Sequence, residues 1–185
     1  SPSQMSSPKP VARSHCKMTE IVLPNDTNGL GNMMGGRLLH LMDKCAAISA
    51  QRHANRICVT AAVDNVEFQS AIKEGEVVVI ESHVNRAFRT SMEVELNVRA
   101  ENPLAETERA SNRAFYTYVA LDDAGTPVPV PDVRPETEAE RARYEAAAKR
   151  RDIRLVLAGR QSLDQASSLM DDMLAALQRS TDAAG

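Results

Sequence analysis

The 185-residue chain has no tryptophan and only three tyrosines and three phenylalanines, too few rings to stack successive bases of a nucleic acid. It also lacks an excess of basic charge. Lys and Arg number 22 against 25 Asp and Glu, a net charge of -3, which removes the electrostatic footing of a phosphate-backbone binder. No apolar run approaches the length of a membrane span, and the first residues lack the apolar core of a signal peptide. The three cysteines, Cys16, Cys45 and Cys58, are odd in number and have no metal-like spacing. Reduced thiols in a cytoplasmic protein are therefore expected. No cluster of His, Cys, Asp and Glu has ligand spacing, and no glycine-rich phosphate loop ending in Lys-Ser or Lys-Thr occurs. Neither a metal nor a cofactor is expected.

Glycine is scarce too, with eight in all, yet Gly29, Gly31, Gly35 and Gly36 fall within eight residues. Without a Cβ, backbone there can approach a ligand closely or take positive φ. The chain then turns apolar through Leu38, Leu39, Leu41, Met42, Cys45, Ala46, Ala47 and Ile48. That is more than one stripe and predicts a helix wrapped on most sides. Asp43 falls inside it. A carboxylate two turns into such a helix is costly to bury unless it is paired or used.

In chain order, residues 1–16 are Ser- and Pro-rich and read as a disordered leader. Residues 17–23 predict a first strand, ended by Pro24, and the helix runs to about residue 55. Three β-rich runs follow at 57–68, 76–86 and 91–100, and a fourth at 110–121. In the third, Met92, Val94, Leu96 and Val98 alternate with Glu93, Glu95, Asn97 and Arg99, which predicts a half-buried antiparallel strand. Four prolines in 127–135 predict an extended arm. Residues 137–157 read as a charged helix that Gly159 ends, and Leu163, Ala166, Met170, Leu174 and Leu177 as a second, amphipathic one. The division expected is leader 1–16, domain 17–124, arm 125–136, C-terminal helices 137–179 and frayed tail 180–185.

Leu23-Pro-Asn-Asp-Thr-Asn28, Gly-Asn-Met-Met-Gly-Gly36, Leu-Met-Asp43 and Ser-Ala-Gln-Arg-His53 together resemble the hotdog-fold acyl-CoA thioesterases of the brain acyl-CoA hydrolase and YciA-like group. The resemblance continues through the blocks ending at Phe68, Gly75, Val94 and Val119 and covers roughly residues 17–155. It implies an α+β hotdog fold, an antiparallel sheet of about five strands wrapped around one long central helix, with a C-terminal helical extension. It implies hydrolysis of fatty acyl-CoA to free fatty acid and coenzyme A, which is substrate and product rather than cofactor. A non-catalytic acyl-CoA sensor is the alternative.

On that resemblance Asp43 is the general base or the nucleophile, where its residues alone would leave a buried, capped or ion-paired aspartate. Asn28, alone a turn residue, would face the active site of the partner subunit. One exposed N–H of Gly35 and Gly36 would donate to the thioester oxygen, aided by the helix dipole. Many relatives place a histidine where this chain has Met34, which leaves the amide to act alone. Arg86, Arg89, Thr90 and Ser91 would border the coenzyme A groove, or else form an exposed turn. His40 reads as a packing or surface residue, and Arg52 and His53 as partners of the helix C-terminus. The implied assembly is a homodimer through the sheet edge, and a homohexamer as a trimer of dimers, with neither nucleic acid nor membrane as partner.

Overall fold

The computed structural model describes residues 7–64, 66 and 68–159. The chain divides into two compact units, 1–140 and 141–185. The elements of the first are β1 (Lys9–Pro10), β2 (Cys16–Ile21), α1 (Gly35–Ala54), β3 (Ile57–Asp64), β4 (Val77–Ala87), β5 (Ser91–Asn102), β6 (Thr107–Leu121) and β7 (Val133–Arg134). A second helix, α2 (Glu138–Leu157), continues into the second unit. Thr137 accepts the Glu140 amide at 3.1 Å, capping its start, and Gly159 takes φ +69° just past its end. The amphipathic helix expected at 163–177 and the frayed tail at 180–185 lie outside the described residues.

β2 to β6 form one antiparallel sheet in the order β2–β4–β5–β6–β3. The helix α1 lies against all five strands, which is the hotdog arrangement. Its face is set by register. Ile80, Ser82 and Val84 stand opposite Val98, Leu96 and Val94, which in turn stand opposite Asn112, Ala114 and Tyr116. Leu38, Leu41, Met42, Cys45, Ala46, Ser49 and Ala50 are buried, the three-and-four spacing of one helix face. A small polar contact keys this face to β4. Ser82 donates to the Cys45 carbonyl at 3.0 Å and meets Ser49 at 2.6 Å. Burial pushes the Cys45 thiol up to about 12 and Cys58 up to about 11, so both stay protonated and inert. All three cysteines are free.

The structure departs from the sequence reading in several places. Within one chain α1 is not wrapped on most sides: Ile48 is exposed and Leu39, Asp43 and Ala47 are half-buried. Residues 9–16 are not disordered. Lys9–Pro10 pairs in parallel with Val133–Arg134, a 3-10 turn spans Val11–Ser14, and Ser14 accepts the Val84 amide at 2.8 Å. Pairing with the proline-rich arm supplies the order that composition alone would not. The first of the β-rich runs ends at Asp64 rather than 68, and β6 starts at Thr107 rather than 110. Glu93 and Glu95, expected on a solvent face, are buried at 1% and 4% exposure. Burial alone would raise the Glu95 carboxyl, but bonds from Arg113, Asn85 and Asn97 hold it below the usual carboxylate range.

Candidate active site

Asp43 sits in the middle of α1, where the helix crosses β3 and β6. Thr60 of β3 and Tyr118 of β6 are directly opposite each other, and both reach the same carboxylate oxygen. The Thr60 hydroxyl donates to Asp43 Oδ1 at 2.7 Å and the Tyr118 hydroxyl at 2.6 Å. Tyr118 also donates to the Asp43 carbonyl at 2.9 Å. Charge-assisted bonds of this kind fix a carboxylate's rotation as well as its charge. Oδ2 has no partner among the described residues, so one oxygen is anchored and the other is available. Tyr118 is 1% exposed. Burial and the bond to Asp43 push its phenol well above the ordinary value, and burial with the Asp43 charge pushes Tyr116 up to about 12. Both phenols stay protonated near neutrality, so Tyr118 is a permanent donor. Sequence reasoning gave Thr60 and Tyr118 no role. Both lie in the β-rich runs, but only strand register brings them together under the helix.

The start of α1 forms a second cluster. Met34 is its N-cap and provides no side-chain cap. The amides of Arg37 and Leu38 both donate to the Met34 carbonyl, which leaves the Gly35 and Gly36 N–H groups without a partner among the described residues. The Phe68 ring lies 3.4 Å from where a Cβ on Gly35 would be, while one on Gly36 would meet nothing within 4 Å. Asn28 stands beside this helix start. Its Oδ1 accepts the Leu30 and Asn32 amides at 2.9 and 3.2 Å, closing the turn in which Gly31 takes φ +75°. The carbonyl of its carboxamide is thereby used, and Nδ2 is left as a donor without a partner among the described residues. Asn28, Met33, Gly35, Leu38, Phe68 and Ile72 share a cavity of about 260 Å³.

These two clusters do not meet within one chain. Gly35 and Asp43 are eight residues apart on one helix, about 12 Å along its axis, and one carbonyl group cannot touch both. The predicted basic residues do gather, in the β4–β5 turn. Arg86 follows a bulge at the end of β4, Arg89 and Thr90 form the turn, and Ser91 opens β5, its carbonyl accepting the Phe88 amide at 2.7 Å. The Arg86 guanidinium is 6.0 Å from the Phe88 ring centroid. Met92 stands opposite Tyr118, so Thr90 is two residues, roughly 7 Å, further along the same end of the sheet.

His40 is exposed. Arg52 donates to the His15 carbonyl at 2.6 Å, and His53 is fully buried with Nε2 2.7 Å from the Pro131 carbonyl. Both side chains therefore serve tertiary contacts rather than the helix dipole. No cluster among the described residues could hold a metal ion, and no helix among them is long and apolar enough to cross a membrane.

A family model described as the Thioesterase superfamily matches residues 30–106. An uncharacterised acyl-CoA thioester hydrolase, YkhA, of Bacillus subtilis is 41% identical over 132 residues, covering 71% of this chain and 77% of the relative. Acyl-coenzyme A thioesterase 11 of Mus musculus is also 41% identical, over 142 residues and 77% of this chain. The aligned region is only 24% of that longer protein. Among solved structures, an apo hexameric acyl-CoA thioesterase superposes with a TM-score of 0.81 at 40% identity, over 84% of this chain and 100% of its own. An acyl-CoA hydrolase from Staphylococcus aureus, as an Asn28Ala mutant in complex with coenzyme A, superposes with a TM-score of 0.77 at 33% identity, over 92% and 99%. The same hydrolase has also been solved as Asp43Ala and Thr60Ala mutants. Asparagine, aspartate and threonine stand at the same three numbers in this chain.

Proposed function

The chain belongs to the thioesterase superfamily, and from that premise we propose that it hydrolyses acyl-CoA to the free acid and coenzyme A in a site shared between two subunits. The observation that carries this reading is the Asp43 carboxylate, one oxygen held by Thr60 and Tyr118 and the other open, at the sheet end that carries the basic turn.

Asp43 Oδ2 takes a proton from water, and the oxygen of that water adds to the thioester carbonyl carbon. Charge develops on the carbonyl oxygen. The Gly35 and Gly36 amides and the Asn28 Nδ2, supplied by the partner subunit, receive it, and the dipole of α1 adds positive potential. The intermediate collapses with loss of coenzyme A as thiolate, which takes back the proton held by Asp43. Thr60 and Tyr118 keep Asp43 in one rotamer throughout. Arg86 and Arg89 give the phosphates of coenzyme A a cationic border. No cofactor takes part.

The assembly is a proposed homodimer through β3, one of the two edge strands of the sheet, whose Ile57, Val59 and Val63 are 64%, 43% and 49% exposed. Unpaired apolar edges of this kind are usually covered. The hexameric relative supports a trimer of such dimers. Buried free thiols suit the cytoplasm, the proposed location.

The test is release of coenzyme A, followed with a thiol reagent, over acyl-CoAs of increasing length. Turnover by the native chain that falls by about two to four orders of magnitude in Asp43→Asn is expected. Tight acyl-CoA binding with no thiol release would instead make the protein a sensor.

A further inference from the structure

The arm between β6 and β7 is built to hold rather than to link. Pro127, Pro129 and Pro131 fix φ near -65° and remove every second amide, so the segment can only run extended. The two amides left between them are both spent. Val128 donates to the Ala120 carbonyl and Val130 to the Arg89 carbonyl, each at 3.0 Å. The next two carbonyls are also taken. Pro131 meets His53 Nε2 at 2.7 Å, and Asp132 accepts the Lys9 amide at 2.9 Å. Val130 and Val133 are buried at 9% and 3% exposure.

His53 is unusual as a helix-end histidine because it is fully buried. A carbonyl only accepts, so Nε2 carries the hydrogen, and Nδ1 is left buried without a partner among the described residues. Leucine would fill the space at less cost. What histidine adds is one donor aimed at the arm.

The arm leads from there to the β4–β5 turn. The Thr90 carbonyl accepts the Ala120 amide at 3.1 Å, and the Arg89 carbonyl accepts Val130. The turn is therefore clamped by β6 on one side and by the arm on the other.

We propose that residues 127–132 are a strap that positions Arg89 and its turn for the phosphate-bearing end of coenzyme A, and that His53 is the latch that closes it. This rests on the acyl-CoA reading above. His53 and Val130 are positioning residues and touch no substrate.

Val130→Pro removes the one amide that holds Arg89 while its proline neighbours keep the segment extended. Its affinity for coenzyme A itself, measured by calorimetry, should fall roughly three- to tenfold, the worth of one neutral hydrogen bond. KM for acyl-CoA should rise by the same factor with kcat unchanged. The same acyl group on N-acetylcysteamine, which lacks the nucleotide, should keep its KM. Combining Val130→Pro with Arg89→Ala should weaken coenzyme A binding no further than Arg89→Ala alone. His53→Leu should reproduce the Val130→Pro pattern, and His53→Gln, which keeps an N–H donor, should restore binding. An unchanged affinity in both folded variants, or an equal rise in KM for the truncated thioester, would overturn the strap. If the native chain binds coenzyme A but never releases it from a thioester, only the hydrolase reading falls. Failure to bind coenzyme A at all would remove both.

Discussion

Asn28→Ala and Asp43→Asn subunits, each nearly inactive alone, should regain about a quarter of native activity when co-expressed. The reasoning starts from the helix. Gly35 and Asp43 are about 12 Å apart along α1, and Asn28 shares a cavity with Gly35 but not with Asp43. A site using both clusters must take them from different chains. Asp43→Asn keeps the shape and loses the base, a fall of about two to four orders of magnitude. Asn28→Ala removes one donor to the developing oxyanion, about a hundredfold, and also frees the Leu30 and Asn32 amides that its Oδ1 now satisfies. In a random mixture each site draws its asparagine from one subunit and its aspartate from another. One half of each is intact, so about one quarter of sites have both, whatever the size of a closed symmetric assembly. The assay is thiol release by a one-to-one co-expressed preparation whose mixing is verified by native mass spectrometry. Activity that stays at the mean of the two parents, in a preparation shown to be mixed, would refute the shared site.

Tyr118→Phe should keep the fold, since its ring fills the same space, and lower kcat by about tenfold, because Asp43 Oδ1 then has only the Thr60 donor; an unchanged kcat would make the tyrosine a packing residue. Leu41→Ala, at 1% exposure against the sheet, should cost about 2–5 kcal/mol in denaturant unfolding, and a loss well below that would mean the helix face repacks. The pH dependence of stability should carry the mark of His53. Burial holds its pKa below the ordinary 6.5, offset in part by the Pro131 bond, with Lys9 lowering it and Asp132 raising it. Above 6.5 both folded and unfolded chains are neutral there and the stability is whole. As pH falls from that value the unfolded chain takes up a proton first, so stability declines by up to about 1.4 kcal/mol per pH unit until the folded pKa is passed. His53→Gln should flatten the decline of Tm, and equal declines in the two proteins would place its cause elsewhere. Glu76, held below the usual range by Arg109, and Glu95 add their own loss only below the ordinary 4.5.

Local chemistry made much of this molecule legible before folding. The glycines and the β-branched runs act over a few residues, so α1 was placed to within a residue and the five strands of the sheet to within four. The alternation of β5 gave its core face correctly, because a period of two survives any partner. Its other face did not follow the rule. Glu93 and Glu95 are buried, and for Glu95 the reason is that Asn85, Asn97 and Arg113 converge on it from the same strand and both neighbouring ones, which no window along one strand contains. Asp43 stood out by its cost, a carboxylate inside an apolar helix, but what holds it did not. Thr60 and Tyr118 are 17 and 75 residues away, and only the β3–β6 register sets them side by side. The same holds for the arm. Its prolines announced an extended segment, while its role was decided by which carbonyls and amides lay within reach once β6, the Arg89 turn and the end of α1 had met. Spacing along the chain fixes which groups are available, and it is the closing of the sheet on the helix that determines which of them find each other.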